Sequence, residues 1–148
     1  MQSIIKEKSE TRKLGERGEI IATEFLLRHK FRIVCANFKV PIGRNRRGVA
    51  VTGEIDLIAI DDETLVFVEV KTRSSDSFAT PETAVDLRKQ RQIIRTAKRY
   101  RKIFHINNIK FRYDVISIVV RENKAPNIEH FKGFFNEEKF QKRDWQDD

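Results

Sequence analysis

The sequence has little cysteine and no histidine cluster, which excludes several kinds of site. Cys35 is the single cysteine among 148 residues. One cysteine excludes an internal disulfide and any zinc cluster built on cysteine ligands, and we expect Cys35 to pack as a small hydrophobic side chain. The three histidines, His29, His105 and His130, are dispersed without metal-ligand spacing. We therefore assign them no role.

Long apolar runs are also missing. The first residues, MQSIIKEKSETRK, hold no apolar core of signal-peptide length, and no later segment is long enough to cross a bilayer. We find no internal repeat and no low-complexity tract. These absences predict a cytoplasmic protein with no membrane partner and no small-molecule cofactor.

Acidic residues are too few to balance the basic ones. Lysine and arginine number 30 against 22 aspartates and glutamates, which gives a net charge of +8. A basic domain of this size suggests a polyanionic partner, most often a nucleic acid. An anionic membrane surface is the weaker alternative, because no basic helix rich in tryptophan or leucine is evident.

Hydrophobic periodicity predicts the element order α-β-β-β-α-β-β. The predicted elements are a helix over 10–30, strands over 31–40, 54–62 and 64–73, a helix over 81–104, and strands over 110–120 and 126–134. Thr80 is the predicted N-cap of the second helix, with Pro81 at its first position. Gly15 and Gly18 interrupt the first helix, which indicates either close backbone packing or approach to a ligand, or a later helix start.

These elements predict one α/β domain over residues 10–133. The short connection DDE, residues 61–63, favours an antiparallel hairpin of the second and third strands. A crossover through the second helix would place the fourth strand parallel to the third. The result is a central mixed sheet flanked by helices. Residues 1–9 are predicted to be flexible, and residues 134–148 to form a polar tail or a short docked helix.

The third strand ends in an acid and an amine on one face. Glu69 and Lys71 lie two residues apart, so their side chains point the same way. Asp56, across the predicted hairpin, lies roughly opposite Glu69, with Cβ atoms about 5 Å apart if directly opposed. Two carboxylates at that distance repel unless positive charge lies between them. Either Mg²⁺ or an ion pair with Lys71 would supply that charge, and a lysine beside such a metal would activate water.

Four segments in this order resemble known proteins. The second and third strands resemble the PD-(D/E)xK nuclease superfamily, and the whole set is similar to the uncharacterised bacterial YraN-like family over residues 14–132. The connection at 41–52 is longer and more basic than usual for that family, and the C-terminal tail is extended. The matching segments are GERGE (15–19), GEIDLIA (53–59), LVFVEVKTR (65–73) and RYDV (112–115).

The resemblance implies a restriction endonuclease-like fold and an endonuclease dependent on Mg²⁺ or Mn²⁺. Such an enzyme hydrolyses DNA phosphodiesters and leaves a 5′-phosphate and a 3′-hydroxyl. A likeness to archaeal Holliday-junction resolvases adds branched DNA as a substrate and a homodimer as an assembly.

The resemblance also implies a role for each matching residue. Asp56 and Glu69 would bind the metal, Lys71 would be the catalytic lysine, and Glu19 a further acidic member of the site. The helix dipole explains an acid at Glu19 equally well. Glu54, on the same strand face as Asp56, would join the metal ligands or serve as a charge at the strand entry, and we favour the second.

The second helix adds a catalytic candidate. Gln90 lies on its apolar side, and related nucleases often place a glutamine or lysine from this helix near the metal. Gln90 is therefore our candidate, ahead of Lys89. The alternative for Gln90 is a buried amide bonded to the backbone.

The second helix also carries a basic stripe opposite an apolar side formed by Leu87, Ile93, Ile94, Ala97, Tyr100 and Phe104. A stripe nearly free of acids favours contact with a phosphate backbone, although it could be a solvated face or lie away from the acids. Arg44, Arg46 and Arg47 form a second basic element, and Arg73 follows Lys71. The predicted nucleic-acid-binding residues of the stripe are Arg88, Arg91, Arg95, Lys98, Arg99 and Lys102.

Two further functions stay open from the sequence. A nucleic-acid-binding module with the same fold but no useful cleavage would use the same basic residues. A protein-interaction adaptor would use the tail, which contains Phe140 and Trp145. Arg112 and Asp114 share a face of the fourth strand and are predicted to form an ion pair that supports the sheet.

Overall fold

The protein is an α/β domain in which one helix covers each face of a five-stranded sheet. The computed structural model describes residues 2–75 and 85–140. The element order α-β-β-β-α-β-β agrees with the sequence prediction. In chain order, the elements are α1 (Gln2–Arg28), β1 (Arg32–Arg44), β2 (Ala50–Asp61), β3 (Thr64–Ser74), α2 (Leu87–Ile103), β4 (Phe111–Val120), β5 (Asn127–Phe135) and a 3-10 turn (Glu138–Phe140).

The sheet is mixed, as the sequence predicts. Its strands lie side by side in chain order, β1-β2-β3-β4-β5. The β1–β2, β2–β3 and β4–β5 pairs are antiparallel, and β3–β4 is parallel. Two parallel neighbours need a long crossover, which contains α2.

Side-chain alternation along β3 builds a core on each face. Val66 and Val68 pack with Leu26 of α1, whereas Phe67 packs on the other face, with its ring 5.9 Å from that of Tyr100 in α2. All five of these side chains are buried. Burying each large apolar side chain contributes roughly 1.5–3 kcal/mol. The same alternation puts Glu69 on the α2 face.

The helix starts differ from the sequence prediction. α1 begins at Gln2 rather than Glu10. Residues 2–9 are all exposed, and their two large apolar residues, Ile4 and Ile5, are adjacent, so this part of the sequence carries no helical hydrophobic period to read. α2 begins at Leu87, after Asp86, whose side chain accepts a hydrogen bond of 2.9 Å from the backbone N–H of Lys89. An aspartate cap of this kind starts a helix, and the start at Leu87 differs from the predicted start at Pro81. Thr80 and Pro81 themselves lie outside the described residues.

The β1–β2 connection is much shorter than the predicted turn over 41–53. The strands continue to Arg44 and resume at Ala50, and together they form a long hairpin. Two side chains of α2 bind carbonyl oxygens of this hairpin. Gln92 Nε2 donates to Thr52 O at 3.2 Å, and Arg95 Nη2 donates to Ile42 O. These tertiary contacts stabilise the outer part of the hairpin as extended strands. The local sequence there predicts only turns.

The start of the tail packs on the domain. Phe140 is buried, and Glu137 accepts hydrogen bonds from Arg101 (2.9 Å) and Tyr113 (2.7 Å). Removing residues 134–148 would therefore disturb the core as well as any partner surface. Trp145 lies outside the described residues. Neither described helix is long and apolar enough to span a lipid bilayer.

Candidate functional site at a fork in the sheet

The central strands separate where the predicted acids lie. β2 and β3 pair from Asp61/Thr64 to Leu57/Val68. Beyond that point β2 pairs only with β1, and β3 only with β4. Asp56 and Glu69 are the next residue on each strand, so the register places them opposite each other, as the sequence predicts. We call this separation of β2 from β3 the fork, and it lies beside the two carboxylates of Asp56 and Glu69.

A backbone hydrogen bond holds Asp56 in the fork. Its Oδ2 accepts from the N–H of Val70 at 2.8 Å. The carboxylate thus satisfies a backbone donor that lies past the end of the β2–β3 ladder. Burial raises the pKa of Asp56, although this hydrogen bond and the charge of Lys89 oppose the rise.

Glu69 is the most perturbed acid of the site. Its side chain is 5% exposed. Burial, followed by the negative charge of Asp56, raises the pKa of Glu69 to about 7. Desolvation and a like charge both penalise the ionised carboxylate. The pair therefore favours any additional positive charge brought between the two side chains.

Two lysines contact Glu69. Lys71 Nζ lies 3.3 Å from Glu69 Oε1, and Lys89 Nζ lies 3.7 Å from the same oxygen. Both lysine side chains are about one-third exposed, at 33% and 31%. The ion pair between Lys71 and Glu69, one of the two interpretations of the sequence, is present. Both lysines are therefore partly accessible to solvent.

Gln90 does not contact the acids through any described hydrogen bond. It is buried, and its Nε2 donates to Val85 O at 3.0 Å. Its Oε1 is buried without a hydrogen-bond partner among the described residues. The contact with Val85 is that of a buried amide bonded to the backbone. Lys89, the second choice from the sequence, is the residue of α2 that reaches Glu69.

Glu19 approaches the fork from α1. Burial and the charge of Asp56 raise its pKa, while a hydrogen bond with Asn37 opposes the rise. Gly18 permits this approach, because a Cβ added there would lie 1.7 Å from Thr72 Oγ1 of β3. The predicted close packing at Gly18 is therefore confirmed, whereas Gly15 has nothing within 4 Å. The structure brings Glu19 within electrostatic reach of Asp56.

The donor set fits a hard divalent cation. Within residues 2–75 and 85–140, no group of three or more histidine, cysteine, aspartate or glutamate side chains is arranged to hold a metal. Asp56 and Glu69 supply two carboxylates, and Mg²⁺ needs only one or two because it keeps several waters. Burial raises the pKa of both acids, and added positive charge at the fork would favour their ionised forms. Glu54 is half-buried and adds negative charge near Asp56.

The predicted nucleic-acid-binding residues lie on α2, on the β1–β2 hairpin and on β3. All six residues of the α2 stripe are exposed, while Leu87 and Phe104, predicted on its apolar side, are exposed as well. Arg44, Arg46 and Arg47 are exposed at the end of the β1–β2 hairpin, and Arg73 is half-buried on β3. Since Lys89 of α2 contacts Glu69, the first turns of this helix lie beside the acids.

A second buried carboxylate supports the sheet. Asp114 is fully buried and accepts hydrogen bonds from Arg112 Nε (2.9 Å), the Gly133 N–H (2.9 Å) and the ring of His130 (2.8 Å). Arg112 also binds Asp61 at 2.8 Å. The predicted supporting ion pair is thus present. His130 belongs to it, although its position in the sequence carries no signal of a partner.

The fold and the fork define an α/β protein with paired acids and lysines at the point where its central strands separate. The chain belongs to the uncharacterised protein family UPF0102, whose family model matches residues 18–118. This is the YraN-like family that the sequence motifs resemble.

Several proteins of that family are similar to this chain over most of its length. A UPF0102 protein of Geotalea daltonii is 40% identical over 129 residues, covering 87% of this chain and 94% of the relative. One of Geobacter sulfurreducens is 40% identical over 122 residues, with 82% and 88% covered. One of Chlorobium phaeobacteroides is 38% identical over 135 residues, with 88% and 98% covered.

Proposed function

We propose that this protein is a metal-dependent endonuclease that hydrolyses DNA phosphodiester bonds. The observation that carries the proposal is the fork, where Asp56 lies opposite Glu69 and Lys71 contacts Glu69. The motif resemblance to PD-(D/E)xK nucleases assigns the same three residues to catalysis. The net charge of +8 supports an anionic polymer as substrate.

Each residue has a distinct task in this proposal. Asp56, fixed by the Val70 N–H, and Glu69 would hold a divalent cation. When bound, the cation supplies positive charge that stabilises the phosphate oxygens in the transition state. Lys71 orients the attacking water and helps to remove its proton. In-line attack forms a bond between the water oxygen and phosphorus and breaks the bond between phosphorus and the 3′ oxygen. The 3′ oxygen takes up a proton, so the products are a 5′-phosphate and a 3′-hydroxyl.

A nucleic-acid-binding module without cleavage is the second candidate. One observation favours it: Lys71 and Lys89 already place two positive charges on Glu69. The paired carboxylates favour the enzyme, because a protein that only binds phosphate gains nothing from acids that repel it.

A cleavage screen tests the proposal. Duplex, single-stranded, flap and four-way-junction DNA are incubated with the protein in Mg²⁺, in Mn²⁺ and in EDTA. We expect metal-dependent cleavage of at least one form. We expect Asp56→Asn and Lys71→Met to lower its rate about 10²-fold or more, and the exposed control Arg28→Ala to leave it unchanged.

The variants are chosen to keep the fold. Asparagine at position 56 retains an oxygen that accepts from the Val70 N–H, and Lys71 is one-third exposed. The nuclease proposal is wrong if cleavage persists in both variants, or if the wild type cleaves none of the DNA forms. Binding without cleavage would support the module.

A further inference from the structure

A cleft lies between the start of α2 and the β1–β2 hairpin. It has a volume of about 490 Å³. Lys89 lines this cleft, and its Nζ lies 3.7 Å from Glu69 Oε1, so this side chain links the cleft to the acids. Cationic side chains dominate its walls: Arg44, Arg88, Lys89, Arg91 and Arg95. Among the described residues that line it, Asp86 is the one acid, and its carboxylate caps the helix by accepting from the Lys89 N–H.

The walls of the cleft are held together by side chains of α2. Arg95 donates to the Ile42 carbonyl, and Gln92 to the Thr52 carbonyl at 3.2 Å. At Gly53 the hairpin approaches so closely that an added Cβ would lie 2.0 Å from Thr96 Oγ1. The hairpin and helix therefore form a fixed groove, and a preformed groove binds without first having to be ordered.

The lining indicates which polymer fits. Its apolar members are the aliphatic side chains Ile42 and Val51, and none of the described lining residues is aromatic. Proteins that bind single strands stack the bases on aromatic side chains. A duplex keeps its bases stacked on each other and presents only phosphates and groove edges. Cations without a stacking platform therefore favour a duplex backbone.

We propose that this cleft binds the phosphate backbone of double-stranded DNA and leads one strand to the carboxylates at the fork. This inference rests on the proposed nuclease function and adds the class of its substrate. Arg88 and Arg91, exposed one turn apart on α2, contact successive phosphates. Lys89 lies where the cleft meets the acids. Arg95 acts mainly by fastening the hairpin wall.

The test measures binding in EDTA, where no cleavage can occur. Fluorescence anisotropy follows a labelled duplex and a single strand of the same length and sequence across a salt series. We expect wild type to bind the duplex more tightly. We expect Arg88→Ala/Arg91→Ala to weaken duplex binding about tenfold and to reduce the slope of log K against log salt by about 2.

Lys6→Ala/Lys13→Ala is the matched control. It removes the same charge from exposed positions on α1 that do not line the cleft. We expect it to change affinity less than about twofold. Thermal unfolding checks that each variant is folded, since Arg91 also lies 5.6 Å from the Phe140 ring.

Two outcomes would overturn the inference. Equal losses in the two double variants would show general attraction instead of a cleft, and equal wild-type affinity for the single strand would exclude the duplex preference. Neither outcome contradicts the nuclease proposal, because that proposal is tested separately by cleavage with the Asp56 and Lys71 variants. Conversely, duplex binding in the cleft without cleavage of any DNA form would support the cleft as a DNA-binding site and contradict the nuclease proposal.

Discussion

At the scale of the residue, Gly18 shows how a missing side chain positions the site. α1 lies against β3 because Gly18 leaves room for Thr72. This approach brings the next residue, Glu19, toward Asp56, whose charge raises the pKa of Glu19. The glycine signal is visible in the sequence as a residue with a cost in a helix. Which glycine makes the contact depends on the rotation of the helix against the sheet, and that is set by tertiary packing.

Gly18→Ala should destabilise the protein. The new Cβ would lie 1.7 Å from Thr72 Oγ1 and 2.7 Å from Thr72 Cβ, so helix and strand must move apart. Overpacking of this kind costs about 1–3 kcal/mol of unfolding free energy, which urea denaturation measures. Gly15→Ala, with open space around it, should instead stabilise by up to about 1 kcal/mol. Equal stabilities of the two variants would refute the close contact.

A single residue also separates the two candidates on α2. Neighbouring residues differ by about 100° around a helix, so Gln90 points into the core while Lys89 points to Glu69. The sequence identifies both residues as candidates. It does not give the exact helix phase against the sheet, because the apolar side is broad and its ends, Leu87 and Phe104, are exposed.

At the scale of the element, the buried Asp114 joins three strands. Arg112 and Asp114 of β4 connect to Asp61 at the end of β2 and to His130 of β5. Burial alone would raise the pKa of Asp114, but hydrogen bonds from His130, Arg112 and the Gly133 N–H lower it below its ordinary value of 3.8. The ionised carboxylate thus stabilises the folded sheet.

Asp114→Asn tests this link through its dependence on pH. Because the folded pKa is lowered, the stabilisation is complete above the unfolded pKa near 3.8 and is lost as pH falls through the lower folded value. At pH 7 the variant should lose about 3 kcal/mol of unfolding free energy. The difference in unfolding free energy between wild type and variant should narrow from pH 5 toward pH 2, by about 1.4 kcal/mol per unit of pKa difference between the folded and unfolded states. A gap that stays constant over this range would refute the role.

The strands were more predictable than the boundaries around them. β2, β3 and β4 follow their hydrophobic patterns because each lies in the core of the sheet. The outer half of the β1–β2 hairpin carries no such pattern, since it is held by Gln92 and Arg95 from a distant helix. Asp86, which the sequence prediction does not identify, caps α2.

At the scale of the whole molecule, the sheet topology concentrates chemistry at one place. The fork leaves Asp56 and Glu69 facing each other, α1 brings Glu19 from one side, and α2 brings Lys89 from the other. The sequence predicts the pairing of Asp56 with Glu69 because a short hairpin fixes its register. The contributions of the two helices require the assembled fold.

The central claim is that Asp56 and Glu69 together hold a divalent cation. Titration with Mn²⁺ measures this binding without any substrate, because the electron paramagnetic resonance signal of free Mn²⁺ is lost when the ion binds. Wild type should bind one Mn²⁺, and Asp56→Asn and Glu69→Gln should each weaken binding about tenfold or more. Glu54→Gln is the matched control that removes a neighbouring charge, and its binding should change much less. Undiminished Mn²⁺ binding by both the Asp56 and Glu69 variants, or no binding by the wild type, would contradict the account.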